Sequence, residues 1–274
     1  MTRIVCVPLA PQIGEFEANC SRIESAITEA VAAGADIIVL PELATSGYVF
    51  DSHVEALRLA VPSDHQALSR WSAVAGSATV VVGFCELSPD GRVFNSAAVV
   101  DRTGVRGVYR KCHLWDREKL IFTPGDRPPL LVETTHGRLA IMICYDLEFP
   151  EFTRAAALAG ADLFAAPVNW PLMSTPAGER PAEQIMAMAT ARMNGVFVAC
   201  TDRTGVERGQ QWTAGTTIIG TDGWVIGRDL AGCVVADCDL SVARSKKLAT
   251  SADAFADRRP DVYAVDAGYP ASLV

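Results

Sequence analysis

The stretch Leu139-Ala-Ile-Met-Ile-Cys-Tyr-Asp-Leu-Glu-Phe-Pro-Glu151 starts as an apolar run, breaks at a single thiol and restarts as a helix led by Pro150. The unbroken apolar run fits a strand buried on both faces, and proline suits the first turn of a helix. Such a bend presents Cys144 at the mouth of a pocket while its flanks stay packed. A buried cysteine by itself is more often a small core residue than a reagent. Two further strand ends change that balance. Asp36-Ile-Ile-Val-Leu-Pro-Glu42 drives a carboxylate out of an apolar strand, and Tyr109-Arg-Lys-Cys-His-Leu-Trp-Asp-Arg-Glu118 places Lys111 just past another. A carboxylate, an ammonium and a thiol at three strand ends form a candidate catalytic constellation.

Around these segments, strands and helices alternate. Strand patterns cover Thr2 to Leu9, Ile37 to Leu40, Val80 to Cys85, Val93 to Val100 and Val105 to Tyr109. Helical spacing runs from Glu17 to Ala33, with Gly34 as a stop, and again from Asp64 to Ala75. Ser88-Pro-Asp-Gly91 and Asp101-Arg-Thr-Gly104 supply turns. In the second half, strands are expected at 130–134, 139–143, 161–167, 196–201, 216–219, 224–226 and 234–239, with helices at 150–158 and 181–194. The strand–helix–strand unit before Pro41-Glu42 resembles the one before Pro167-Val168-Asn169. The pattern predicts one domain across residues 1–274, a mixed-sheet α/β architecture with two similar halves packed sheet against sheet. Its core spans about 2–240 and its tail 241–274. Beyond Ala249 the tail is charged and aperiodic, either a surface wrap or an arm reaching a partner subunit.

Composition narrows the function. The chain has 274 residues, 50 % hydrophobic and 20 % charged, with a net charge of −8 and no basic run longer than a pair. That is globular rather than disordered, and it argues against nucleic acid or an anionic membrane as partner. The N-terminus lacks signal-peptide features, and no apolar stretch approaches the roughly 18 residues of a spanning helix. A cytoplasmic protein with eight reduced cysteines is the expectation. No Cys-x-x-Cys pair or resolving spacing points to a redox role.

A thiol is mostly protonated at neutral pH and needs a proton acceptor and a positive neighbour to act as a nucleophile. Only four histidines are present. His53, His65 and His136 fall in segments that read as solvated, while His113 lies close to Lys111 in a loop rich in charge. Glu42 is the stronger base, since burial at a strand end raises a carboxyl pKa toward the working range. Taken alone it reads equally as a surface acid after a strand. Lys111, a loop lysine on its own, can lower the thiol pKa and then pair with an oxyanion. The Tyr145 amide, next to the bend, is a natural second oxyanion donor.

Together the three segments resemble the Glu, Lys and Cys motifs of the nitrilase superfamily of carbon–nitrogen hydrolases. The similarity runs from the first strand to about Asp239. It implies an αββα four-layer sandwich of two mixed β-sheets covered by helices, a thioester acyl-enzyme, no metal or other cofactor, and a homodimer or higher assembly. By the same resemblance Glu42 is the general base, Lys111 the oxyanion stabiliser and Cys144 the nucleophile. Glu118, in Glu118-Lys-Leu-Ile-Phe-Thr-Pro-Gly125, matches the family's second glutamate, which orients the lysine and substrate. Tyr48, Asn169 and Trp170 fall where the family lines its pocket; from the residues alone they read as core aromatics and a turn. Thr190-Ala-Arg-Met-Asn194 departs from the common Arg-Ala-x-Glu-Asn pattern, which puts the contacts supporting the site in question.

Cys144-Tyr145-Asp146 is similar to the amidase side of the superfamily. The substrate implied is a small aliphatic or amino-acid-like amide, cleaved to carboxylate and ammonia. Alternatives are an N-carbamoyl amide hydrolase, an ω-amidase, a nitrilase, or a non-catalytic homologue that binds metabolites.

Overall fold

In the computed structural model, which describes residues 1–263, two mixed sheets pack face to face with helices on their outer faces. The first sheet is built on β1 (Thr2–Cys6), β2 (Ile37–Val39) and β3 (Thr79–Leu87), which run parallel to one another. β4 (Val93–Asp101) and β5 (Gly104–Arg110) extend it as antiparallel hairpins. The second sheet holds β6 (Leu130–Glu133), β7 (Arg138–Ile141), β8 (Leu163–Pro167) and β9 (Phe197–Thr201), of which β7, β8 and β9 are parallel. A small hairpin of β10 (Val206–Glu207) and β11 (Gln210–Gln211) follows, and β12 (Thr217–Ile219) then closes the second sheet beside β9. The chain returns to the first sheet through β13 (Arg228–Leu230) and β14 (Cys233–Cys238), the latter antiparallel to β1.

Period-2 alternation explains the layering. Ile4, Cys6, Ile37, Val39, Val81 and Val99 point into the seam between the sheets. Their neighbours Val5, Ile38, Leu40, Val80 and Val82 point the other way, into a core shared with α1 (Phe16–Ala32). After α2 (His53–Leu59), α3 (Gln66–Val74) adds Leu68 and Trp71 to that core. The short α4 (Glu118–Ile121) follows β5. On the far side α5 (Pro150–Leu158) and α6 (Ala182–Asn194) cover the second sheet with small residues, Ala156, Ala157, Ala187 and Ala191. This is the expected αββα order. No helix of the described residues is long and apolar enough to cross a membrane.

Several local expectations change. Trp224–Ile226 forms a single bridge, Ile219 to Val225, and the sheet strand lies instead at β13. Helix α2 was not anticipated; Ser52 caps it by accepting from Glu55 N. His65 and His136 are only partly exposed: His65 accepts from Ala67 N at 3.3 Å to cap α3, and His136 sits 3.9 Å from Asp36. His53 is exposed, yet its Nδ1 bonds the Ile121 carbonyl at 2.7 Å. Past Ala249 the chain wraps the surface, with Arg154 and Lys246 over the Phe255 ring. The remainder of the tail, 264–274, lies outside the described residues.

Candidate active site

Glu42 owes its position to two backbone features. Leu43 after it takes a left-handed φ of 48°, which turns the chain directly past the end of β2. Gly83 on β3 lets that turn come close: a Cβ there would sit 2.5 Å from the Pro41 carbonyl oxygen and 2.6 Å from Glu42 Cα. Glu42 is fully buried as a result.

Lys111 leaves the end of β5 and its amide bonds the Asn95 carbonyl at 2.9 Å, a continuation of the β4–β5 ladder. Its Nζ donates to Glu42 Oε1 at 2.7 Å and to Glu118 at 2.9 Å. Asn95 Nδ2 donates to the same two carboxylates, at 2.6 Å and 3.0 Å. Glu118 is fixed in turn by the Trp115 amide at 2.8 Å. Two acids, one ammonium and one amide thus form a closed buried network. It leaves two oxygens without a partner among the described residues, Glu42 Oε2 and Asn95 Oδ1.

Cys144 sits at the end of β7 with φ 48° and starts a one-turn 3₁₀ helix, Cys144–Glu148. A β-carbon in the left-handed region costs roughly 1–2 kcal/mol, and Asp146 holds the bend against that cost. Its carboxylate accepts from Ile143 N at 2.9 Å, Tyr109 OH at 2.8 Å and His113 N at 3.0 Å. His113 Nδ1 also meets Asp146, at 2.7 Å, with its ring stacked on Phe149 at 3.7 Å. His113 therefore braces the bend. From α6, Thr190 Oγ1 donates to the Leu147 carbonyl at 3.3 Å, so the divergent Thr190–Asn194 segment still supports the bend. Asn169 joins the two halves: its Nδ2 donates to the Glu42 carbonyl at 2.9 Å, and its own carbonyl lies 4.0 Å from Cys144 Sγ.

The electrostatics follow from burial. Desolvation pushes the Glu42 carboxyl up to about 7, against the opposing pull of Lys111 and Asn95. Burial would lower the Lys111 ammonium, but Glu118 and Glu42 outweigh it and hold it above its ordinary value. The Cys144 thiol is pushed well up, first by burial and then by Glu42, with Lys111 opposing. Burial and the Glu42 charge both favour the protonated thiol. Such a thiol needs a base at the moment of attack.

A cleft of about 140 Å³ leads in from the surface, walled by Tyr48, Phe50, Trp115, Glu118, Phe122 and Trp212. Glu118 belongs to both the cleft and the buried network; burial and the charges of Glu118, Glu42 and Cys144 raise the Tyr48 phenol. Glu42, Lys111 and Cys144 lie beyond that wall, almost wholly buried. Tyr145 packs edge-on against Trp115 at 4.8 Å, whereas the Trp170 ring lies in the core against Gly215. The tryptophans on the cleft wall are Trp115 and Trp212. Sequence reasoning missed Asn95, Asp146 and Trp212. An amide inside the apolar strand Val93–Asp101 was the available signal for the first, because a buried Asn must be hydrogen-bonded.

Comparison with known proteins identifies the family. Residues 4–247 match the Carbon-nitrogen hydrolase family. A nitrilase of Pyrococcus abyssi is 34 % identical over 271 residues, covering 96 % of this chain and 99 % of that protein. An (R)-stereoselective amidase of a Pseudomonas species is 32 % identical over 94 % of this chain and 91 % of that protein. Among solved structures, an amidase from Nesterenkonia sp. superposes with a TM-score of 0.77 at 26 % identity, covering 96 % of this chain and 95 % of that one. Mutants of that amidase were solved with acrylamide added at the active-site cysteine and with butyramide bound. With the family matched over most of its length, the chain belongs to the carbon–nitrogen hydrolases of the nitrilase superfamily.

Proposed function

We propose that the protein hydrolyses a small aliphatic amide to a carboxylate and ammonia through a thioester on Cys144. The observation that carries this reading is the divided state of the Glu42 carboxylate. One oxygen is pinned by Lys111 and Asn95, and the other is unpartnered among the described residues, in a group whose charge the Cys144 thiol senses.

In the cycle, Cys144 Sγ attacks the amide carbon and its proton passes to Glu42. The Lys111 ammonium and the Tyr145 N–H hold the oxyanion. Collapse of the tetrahedral adduct breaks the C–N bond, and Glu42 returns the proton to the leaving nitrogen, releasing ammonia. Water then adds to the thioester with Glu42 taking its proton. The C–S bond breaks, Glu42 reprotonates the sulfur, and the acid departs. Glu118 keeps Lys111 charged and in place throughout. The raised Glu42 carboxyl suits both directions of proton transfer near neutral pH.

Ammonia release over a panel of aliphatic amides, ureido acids, dicarboxylate monoamides and nitriles tests the reading. Turnover of the amides, lost in Cys144→Ala, is expected. Turnover of nitriles alone, or of nothing, would end it.

A further inference from the structure

The cleft wall is gripped from behind by a buried ion pair that the proposed cycle does not use. Arg203 Nη1 donates to Glu207 Oε1 at 3.0 Å, with both side chains almost fully buried. Glu207 Oε2 accepts from the backbone amides of Tyr48, at 2.8 Å, and Val49, at 2.7 Å. Gly47 is required beside it, since a Cβ there would come 2.5 Å from Glu207 Oε1. Arg203 also lies over the Trp212 ring, its Cζ 4.6 Å from the centroid, and Trp212 meets Tyr48 edge-on at 5.4 Å. The β10–β11 turn, left-handed at Arg208 and Gly209, adds a second grip: Arg208 donates to the Val49 carbonyl at 2.9 Å and pairs with Asp51 at 3.0 Å. One ion pair therefore fixes the two aromatic residues, Tyr48 through its backbone and Trp212 through its face.

We infer that the Arg203–Glu207 pair is a positioning unit that holds the Tyr48 and Trp212 walls of the cleft, and so sets how bulky an acyl group the substrate can carry. This rests on the amidase reading above and specifies its substrate class. An apolar cavity of about 150 Å³ is enough to hold benzene, so in a cleft of about 140 Å³ the position of the walls decides which acyl groups enter. Arg203 is committed to Glu207, to the Pro11 carbonyl at 2.8 Å and to the Trp212 face, so it does not serve as a cation for a distal carboxylate.

The test is kcat/KM across acetamide, propionamide, butyramide, pivalamide and phenylacetamide for wild type, Trp212→Ala, Glu207→Gln and the double variant. Wild type is expected to favour the short linear amides over the bulkier pivalamide and phenylacetamide by at least about tenfold, the low end of the roughly 10–200-fold that a misfit in an apolar pocket commands. Trp212→Ala should cut that preference at least tenfold. Glu207→Gln should relax it in the same direction, and the double variant should go no further than Trp212→Ala, because both act on one wall. Should Glu207→Gln not fold, Arg203→Lys takes its place: it keeps the charge and loses the flat plate over Trp212. An equal loss on every amide in Glu207→Gln or Arg203→Lys, or an unchanged preference in Trp212→Ala, overturns the inference. A wild type inactive on the whole series defeats the amidase reading itself and this inference with it, an outcome distinct from either of those.

Discussion

Lys111 Nζ stands 2.7 Å from Glu42 Oε1 with both side chains out of contact with solvent. Removing one member of such a pair leaves an uncompensated buried charge, at a cost of about 3–5 kcal/mol. Here Glu118 shares the ammonium, so two acids lose their counter-ion at once.

Lys111→Arg is accordingly expected to lower kcat/KM by about 10²–10³-fold, the usual cost of losing one oxyanion donor. The planar guanidinium cannot reproduce the ammonium's bonds to two carboxylates. Steady-state ammonia release measures this, with circular dichroism to show that the variant is folded. Activity within threefold of wild type would remove Lys111 from the proposed cycle.

A base pushed up to about 7 predicts an acidic limb: kcat/KM rises with pH through about 7 as Glu42 loses its proton. Asn95 donates to the ionised form and so holds that value down. Asn95→Ala should shift the limb to higher pH, a change that loosened packing alone does not produce. Rates from pH 5 to 9 decide it.

Gly83→Ala forces a methyl into the backbone of Pro41, Glu42 and Leu43. Overpacking of this kind costs about 1–3 kcal/mol, and a melting-point drop of several degrees is expected. Activity should suffer more than stability, falling at least tenfold, because the base itself is displaced. A melting curve and a rate on the same sample separate the two effects.

Asp202 accepts from Trp170 N at 3.0 Å and Gly215 N at 2.8 Å, and burial pushes its carboxyl up to about 7 from 3.8. The folded state therefore holds a proton here that the unfolded state releases, between roughly pH 4 and 7. Through this group, stability is highest below that window and falls as pH rises, by up to about 1.4 kcal/mol per pH unit. Asp202→Asn is expected to be less stable at pH 4 and to lose less stability than wild type on going to pH 7. Denaturant titrations at both values test the difference; parallel losses would mean that Asp202 is not the group responsible.

Much of this was readable in the residues. The runs ending at Leu40 and Ile143 announced their strands by apolarity, and Pro150 announced the helix after the bend. Asn95 was hidden because both faces of β4 are buried, so alternation gave no sign of which way it points. Asp146 was hidden by proximity: next to a thiol it reads as part of a motif, while its work is to hold the bend through Ile143, Tyr109 and His113. Helix α2 has only seven residues, too short for its period to register. Glu207 lies in a hairpin of two-residue strands and Trp212 just past it, and only three-dimensional proximity relates them to Tyr48.

Glu42 belongs to one sheet and Cys144 to the other, and the interface between them is largely oily, a kind of contact that tolerates sliding. Two polar stitches cross it next to the site, Thr201 Oγ1 to the Val39 carbonyl and Asn169 Nδ2 to the Glu42 carbonyl, each at 2.9 Å. They act as dowels that index one layer against the other. The chemistry proposed for this sulfur is thus a property of alignment between two slabs, one that a slip of about a bond length would erase while every strand remained intact.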